Sequence, residues 1–170
     1  MLTPYMPRTE VTMMDMVFAL KRPARVLEFG AGGSTVRWSE LPFIEQWMTI
    51  EHDLEWYERV SSATPPSVHL RMASSDSAQS YMEPVVNYGG LFDLIFVDGE
   101  HRAECIKASP QWLAPDGVVV LHDAIRLEYA EAWGVYHYRA MLTRGGCVRG
   151  RLGLEHGGCC NGLMVMWGDE

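Results

Sequence analysis

The chain has 170 residues, of which 48% are hydrophobic and 21% charged, and a formal net charge of -8. That length holds one domain with a full core and is short for two. The acidic balance argues against a nucleic-acid backbone as the main partner. No apolar run approaches the ~18 residues of a membrane span. The opening MLTPYMPRTEV lacks the basic-then-apolar pattern of a signal peptide, so a cytoplasmic protein is expected.

Taken in chain order, a helical region at about 8–22, clearest over Met13–Leu20, precedes a first strand at Arg25–Phe29 (RVLEF) that ends in glycines. Further strands are predicted at Trp47–Ile50, Val68–Met72, Leu91–Val97 and Val118–Leu121. The last two are nearly continuous apolar runs, as expected for strands covered on both faces. Between the strands, helices are predicted over Ser34–Glu40, Asp53–Ser61 with Asp53 as N-cap, Ser75–Met82 and Glu100–Leu113. Ala124–Leu142 reads as one long helix, followed by strands at Gly145–Arg151 and Gly162–Trp167 joined by a glycine-rich turn. Alternating strands and helices imply an α/β fold with a doubly wound, mostly parallel sheet. Two final strands without a helix between them imply a terminal antiparallel hairpin. The whole of 1–170 reads as a single domain.

There are four cysteines, Cys105, Cys147, Cys159 and Cys160, with no CxxC pair, and free thiols are the default expectation. A metal site from Cys147, His156, Cys159 and Cys160 departs from the usual zinc spacings.

Ligands of open α/β sheets bind beyond the carboxyl ends of the strands. The polar residues there are Glu28 to Ser34 (EFGAGGS), Glu51-His52-Asp53, Ser74-Ser75-Asp76, Asp98-Gly99-Glu100-His101 and His122-Asp123. Glycines at 30 and 32 allow a tight turn and close approach to a ligand. Glu51 follows about twenty residues later, where an acid can accept from two ribose hydroxyls. Together they indicate a nucleoside-containing ligand. A dinucleotide fingerprint would place a third glycine at Thr35, which weakens the competing reading of an NAD(P)-dependent oxidoreductase.

VLEFGAGGST followed by TIEHD resembles the opening motifs of class I S-adenosylmethionine-dependent methyltransferases. FDLIFVDGEHR and WLAPDGVVVLHDA resemble later motifs of the branch that includes the catechol and caffeoyl-CoA O-methyltransferases, closest to its small bacterial members. The motif likeness spans residues from about 10 to about 125, and the element order fits that family's Rossmann-like seven-stranded sheet. The resemblance implies a transferase that methylates an acceptor, on oxygen by analogy with the branch. It implies Glu28, Gly30 and Gly32, with Ser34 in the same loop, at the methionine end of the cofactor. Glu51 would hold the ribose, His52 would lie near the adenine, and Ser75 and Asp76 would flank it. Asp98 would sit beside the sulfonium.

Asp98 and Asp123 close adjacent strands, and their carboxylates suit a shared divalent ion such as magnesium or manganese. The catechol-type relatives place asparagine after the second aspartate, whereas this chain has Ala124. His101 or His122 is a substitute ligand for a softer metal, and His101 is a candidate general base. Neighbours on a strand point to opposite faces, so one of His122 and Asp123 faces the cleft, with Asp123 favoured. Tyr129, Trp133, Tyr136 and Tyr138 either pack the long helix onto the sheet or line an acceptor pocket, and Arg126 is a candidate partner for an anionic acceptor. No cap or inserted lid covers the acceptor side. That leaves it open to a bulky acceptor or closed by a second copy in a homodimer. The remaining alternative is a methyltransferase-like module that binds without catalysing.

Overall fold

The computed structural model describes residues 2–136, 138–143 and 162–167. Seven strands form one sheet in the order β3-β2-β1-β4-β5-β7-β6. They are β1 (Arg25–Phe29), β2 (Gln46–Glu51), β3 (Val68–Met72), β4 (Phe92–Val97), β5 (Leu113–Leu121), β6 (Tyr138–Thr143) and β7 (Gly162–Trp167). The first five pair in parallel, and β7 runs antiparallel between β5 and β6. The winding reverses between β1 and β4, which start on either side of the point where ligands of such sheets bind.

Strand residues alternate between the two faces. Leu27, Phe29, Met48, Ile50, Ile95, Val97, Val119 and Leu121 pack under α4 (Ala78–Tyr88) and α5 (Arg102–Ala108). Val26, Trp47, Leu94, Phe96, Val118 and Val120 face α1 (Arg8–Lys21) and α2 (Gly33–Trp38), where Phe18 stacks with Trp38 and Trp47. Each such fully buried side chain contributes roughly 1.5–3 kcal/mol relative to exposure. A smaller cluster of Ala31, Val60 and Leu70 joins α3 (Leu54–Ser61) to the edge and receives Leu2 from the N-terminal segment.

β1, β3 and β7 have the bounds expected from sequence, and Asp53 caps α3 by accepting from Trp56 N–H at 2.7 Å. α4 begins later than expected, capped by Ser77, which leaves Ser75 and Asp76 in the preceding loop. The single helix expected over Glu100–Leu113 is shorter. α5 ends at Ala108, and Pro110 falls in a 3-10 turn, Ser109–Trp112, that leads directly into β5.

The long helix expected over Ala124–Leu142 is not formed. Two 3-10 turns, Leu127–Tyr129 and Ala132–Val135, lead instead into β6. Three physical causes act together. Asp123 adopts a left-handed backbone (φ 57), Ala124 N–H is drawn away to Gly162 O on β7, and Gly134 interrupts the segment. The aromatic content that suggested a helical face also suits a pleated strand. The strand expected at Gly145–Arg151 lies outside the described residues, as does the Cys147–His156–Cys159–Cys160 group. Cys105 is a free, buried thiol whose pKa burial raises. No described helix is long and apolar enough to cross a membrane.

Candidate functional site

The end of β1 turns through Gly30, whose φ of +95 strains any residue with a Cβ. A Cβ there would lie 2.6 Å from Gly99 Cα, so the loops leaving β1 and β4 touch backbone to backbone. Gly33 answers a second close approach, because a Cβ on it would fall 2.0 Å from the carbonyl carbon of Thr3 in the N-terminal segment.

Glu28 stands beneath this turn with no exposed surface. Its carboxylate accepts from Ser34 Oγ (2.5 Å), Thr35 Oγ1 (2.6 Å) and Trp47 Nε1 (2.9 Å). Thr35 Oγ1 in turn accepts from Gly32 N–H at 2.9 Å. Glu28 therefore fixes the loop from below. Burial pushes its pKa up to about 7 against the pull of those donors. Above the turn, Trp56 Nε1 donates to Ala31 O at 2.5 Å.

Glu51 closes β2. Its Oε1 accepts from the backbone N–H groups of His52 (2.8 Å) and Asp53 (2.9 Å) and lies 3.0 Å from His52 Nδ1. Its second oxygen takes no hydrogen bond from the described residues. His52 and His101 both pack against Tyr81, with ring centroids 6.4 and 5.9 Å away, and His101 Nε2 lies 2.9 Å from Ser75 O. His52 and His101 thus gather around the Tyr81 ring, with the Ser75 carbonyl held by His101. Burial raises the Tyr81 pKa, and its phenol oxygen accepts from Glu100 N–H at 3.4 Å.

Asp98, after β4, has its Oδ1 hydrogen-bonded to His122 Nδ1 at 2.8 Å and ion-paired with Arg102 Nη2 at 3.1 Å. The other nitrogen of His122 bonds Glu10 Oε2 on α1 at 3.0 Å. The imidazole is thus buried between two carboxyl groups. Burial lowers the His122 pKa, but the Asp98 hydrogen bond and charge, with Asp123 and Glu10, raise it overall. Glu10 is fully buried, and burial raises its pKa despite the His122 contact.

Both members of the His122–Asp123 pair are buried. Asp123 leaves extended geometry and turns its Oδ2 to Arg102 Nη1 (3.3 Å) and Arg126 Nη2 (2.6 Å). The partner of Asp98 is accordingly His122, and a guanidinium stands between Asp98 and Asp123. Arg102 also donates to the carbonyls of Gly99 (2.9 Å), Asp98 (3.0 Å) and His122 (3.0 Å). Among the described residues, no three His, Cys, Asp or Glu side chains are grouped to hold a metal ion. The shared divalent ion expected at Asp98 and Asp123 does not fit this geometry.

The parallel strands with their reversal at β1 and β4, and the antiparallel strand inserted next to the edge, decide the fold. It is the class I methyltransferase fold. The O-methyltransferase from Bacillus cereus, solved with SAH, superposes with a TM-score of 0.70 at 14% identity over 95% of this chain and 81% of that one. A methyltransferase-like protein from Silicibacter pomeroyi matches with a TM-score of 0.70 at 18% identity, covering 99% and 90%. The O-methyltransferase TomG from Streptomyces achromogenes, solved with SAM, gives 0.67 at 15% identity, covering 96% and 82%. No protein-family model matches the chain, and no curated protein matches it in sequence.

Three residues of this methyltransferase-fold site were not singled out from the sequence: Glu10, Tyr81 and Arg102. Each makes its contacts to residues on other elements, which the local pattern around it does not mark. Strand parity holds a usable signal for the first. Leu94, Phe96 and Asp98 share the α1 face with Val118, Val120 and His122, so Asp98 and His122 meet there and call for a partner on α1.

Proposed function

We propose that the chain is an S-adenosylmethionine-dependent methyltransferase acting on an oxygen acceptor. Glu51 carries the reading. Its first oxygen is held by two backbone amides at the end of β2, which leaves the second for the ribose diol beside the turn at Gly30. The fold likeness supports the same ligand class, since the Bacillus and Streptomyces proteins were solved with SAH and SAM. Oxygen as the nucleophile rests on the motif resemblance and on those two neighbours.

When bound, the cofactor supplies a methyl carbon already activated by a sulfonium. The chain's own residues then bind, orient and exclude water. Gly30 and Gly32 give the methionine end a close backbone approach, with Glu28, Ser34 and Thr35 holding that turn rigid. Glu51 takes the ribose, and His52, Ser75, Asp76 and the Tyr81 ring border the adenine. His101 holds the Ser75 loop through its contact with the carbonyl there. Asp98, anchored through one oxygen by His122 and Arg102, presents the other to the reacting end. Alignment of this kind accounts for roughly 7–11 kcal/mol of barrier lowering in well-oriented reactions.

Calorimetry with S-adenosylmethionine, S-adenosylhomocysteine and NAD, on the natural chain and Glu51→Ala, tests the proposal. Binding of the first two, lost in the variant, is the expected result. Binding of NAD alone would turn the reading to an oxidoreductase, and binding of none would turn it to a module without catalysis.

A further inference from the structure

The pair of carboxylates that closes β4 and β5 is already served by a cation belonging to the chain. A guanidinium has five N–H donors. Arg102 makes four hydrogen bonds, Nε to Gly99 O, Nη1 to His122 O and Asp123 Oδ2, and Nη2 to Asp98 O, and its Nη2 also forms an ion pair with Asp98 Oδ1 at 3.1 Å. Its side chain is only 14% exposed. A divalent ion between the same carboxylates needs oxygen ligands at about 2.0–2.6 Å. The guanidinium carbon and nitrogens fill that space. Moving them would strand three backbone carbonyls that now have a partner, a loss of order 1–3 kcal/mol for each one left buried. The position that follows Asp123, where an amide ligand would be required, is the fully buried methyl of Ala124.

We propose that Arg102 is a built-in replacement for the divalent cation at the reacting end, so that cofactor and acceptor binding are independent of metal. This inference rests on the methyltransferase reading for the meaning of "reacting end". The same contacts also define the acceptor. Arg102 is committed to Asp98, Asp123 and three backbone carbonyls, and the second oxygen of Asp98 is left to accept a hydrogen bond. The site therefore suits an acceptor that presents a single hydroxyl, and not a vicinal diol that must be chelated.

Manganese binding followed by electron paramagnetic resonance, on the full chain with and without S-adenosylhomocysteine, tests this directly. The natural chain is expected to bind no manganese beyond the loose level of surface carboxylates, and chelator is expected to shift S-adenosylhomocysteine affinity by less than about twofold. Arg102→Ala, which frees both carboxylates, is expected to gain manganese binding that Asp123→Asn then removes, whereas Arg102→Lys keeps the charge and gains none. Specific manganese binding by the natural chain, lost in Asp123→Asn, would overturn the proposal. So would a folded Arg102→Ala that gains nothing. Should Arg102→Ala fail to fold, Arg102→Gln takes its place, and the result on the natural chain decides by itself. Catechol serves as a vicinal-diol probe in calorimetry, and magnesium-dependent catechol binding would also overturn the proposal. Failure of the natural chain to bind S-adenosylhomocysteine strikes the proposed function alone, because the manganese result reads the carboxylate pair without it.

Discussion

Trp47 donates its indole N–H to Glu28 across neighbouring strands at 2.9 Å, deep on the α1 face of the sheet. With Ser34 and Thr35 it surrounds a carboxyl that has no contact with water. A buried acid whose pKa rises from 4.5 to about 7 favours the folded state below pH 4.5 and loses that contribution as pH climbs to about 7. The folded state binds the extra proton in that window, so stability falls with rising pH, by about 3 kcal/mol in all. Glu28→Gln keeps the acceptor for Thr35 and Trp47 and turns its amide toward Ser34. Urea denaturation between pH 4 and 8 is expected to show a shallower decline for the variant, and parallel profiles would refute the assignment.

Gly33→Ala places a methyl group against the backbone of Thr3, which has no flexible end to give way. The expected cost is about 1–3 kcal/mol in the full chain. In a chain lacking residues 2–5 the same substitution is expected to cost nothing measurable. A penalty that survives the truncation would show that the close approach is not its cause.

Glu10→Ala leaves a buried imidazole nitrogen without its acceptor. Breaking such a pair from one side costs about 3–5 kcal/mol. The loss should appear first in α1. Hydrogen exchange is expected to speed up for amides of Arg8–Lys21 while β4 keeps its protection, and Glu10→Gln, which retains an acceptor oxygen, should lie much nearer the natural chain.

Arg126 contrasts with Arg102, although both contact Asp123. Its side chain is 51% exposed, and Asp123 keeps Arg102 when it is gone. Arg126→Ala is therefore expected to cost less than about 1 kcal/mol in a thermal or urea melt.

The part of the fold from β1 to β4 was largely legible in the sequence. Short runs rich in apolar residues, ended by Gly30 in β1 and by the small residues Ala73 and Ser74 in β3, matched the limits of both strands, and the Asp53 cap followed from residue type alone. These are local signals, settled by side chains within a few positions of one another. The segment after β5 was harder because its causes are distant. Whether Ala124–Leu142 coils or extends is decided by Gly162, whose carbonyl takes the Ala124 N–H, and by the left-handed turn at Asp123. Likewise the burial of Glu10 depends on His122, which no helical period can reveal. Arg102 was not singled out because its acceptors, in the two loops after β4 and β5, converge on it only after folding.

The Glu10–His122 bond spans 112 positions of sequence. During synthesis α1 emerges long before β5, and in that interval its acid has nothing to pair with. Docking α1 early would bury a lone carboxyl, which is strongly unfavourable. α1 is therefore expected to settle on the sheet only once β4 and β5 lie side by side. Closing so long a loop is slow compared with local helix formation. One acid on α1 thus ties the docking of that helix to a histidine that the end of β5 must first supply.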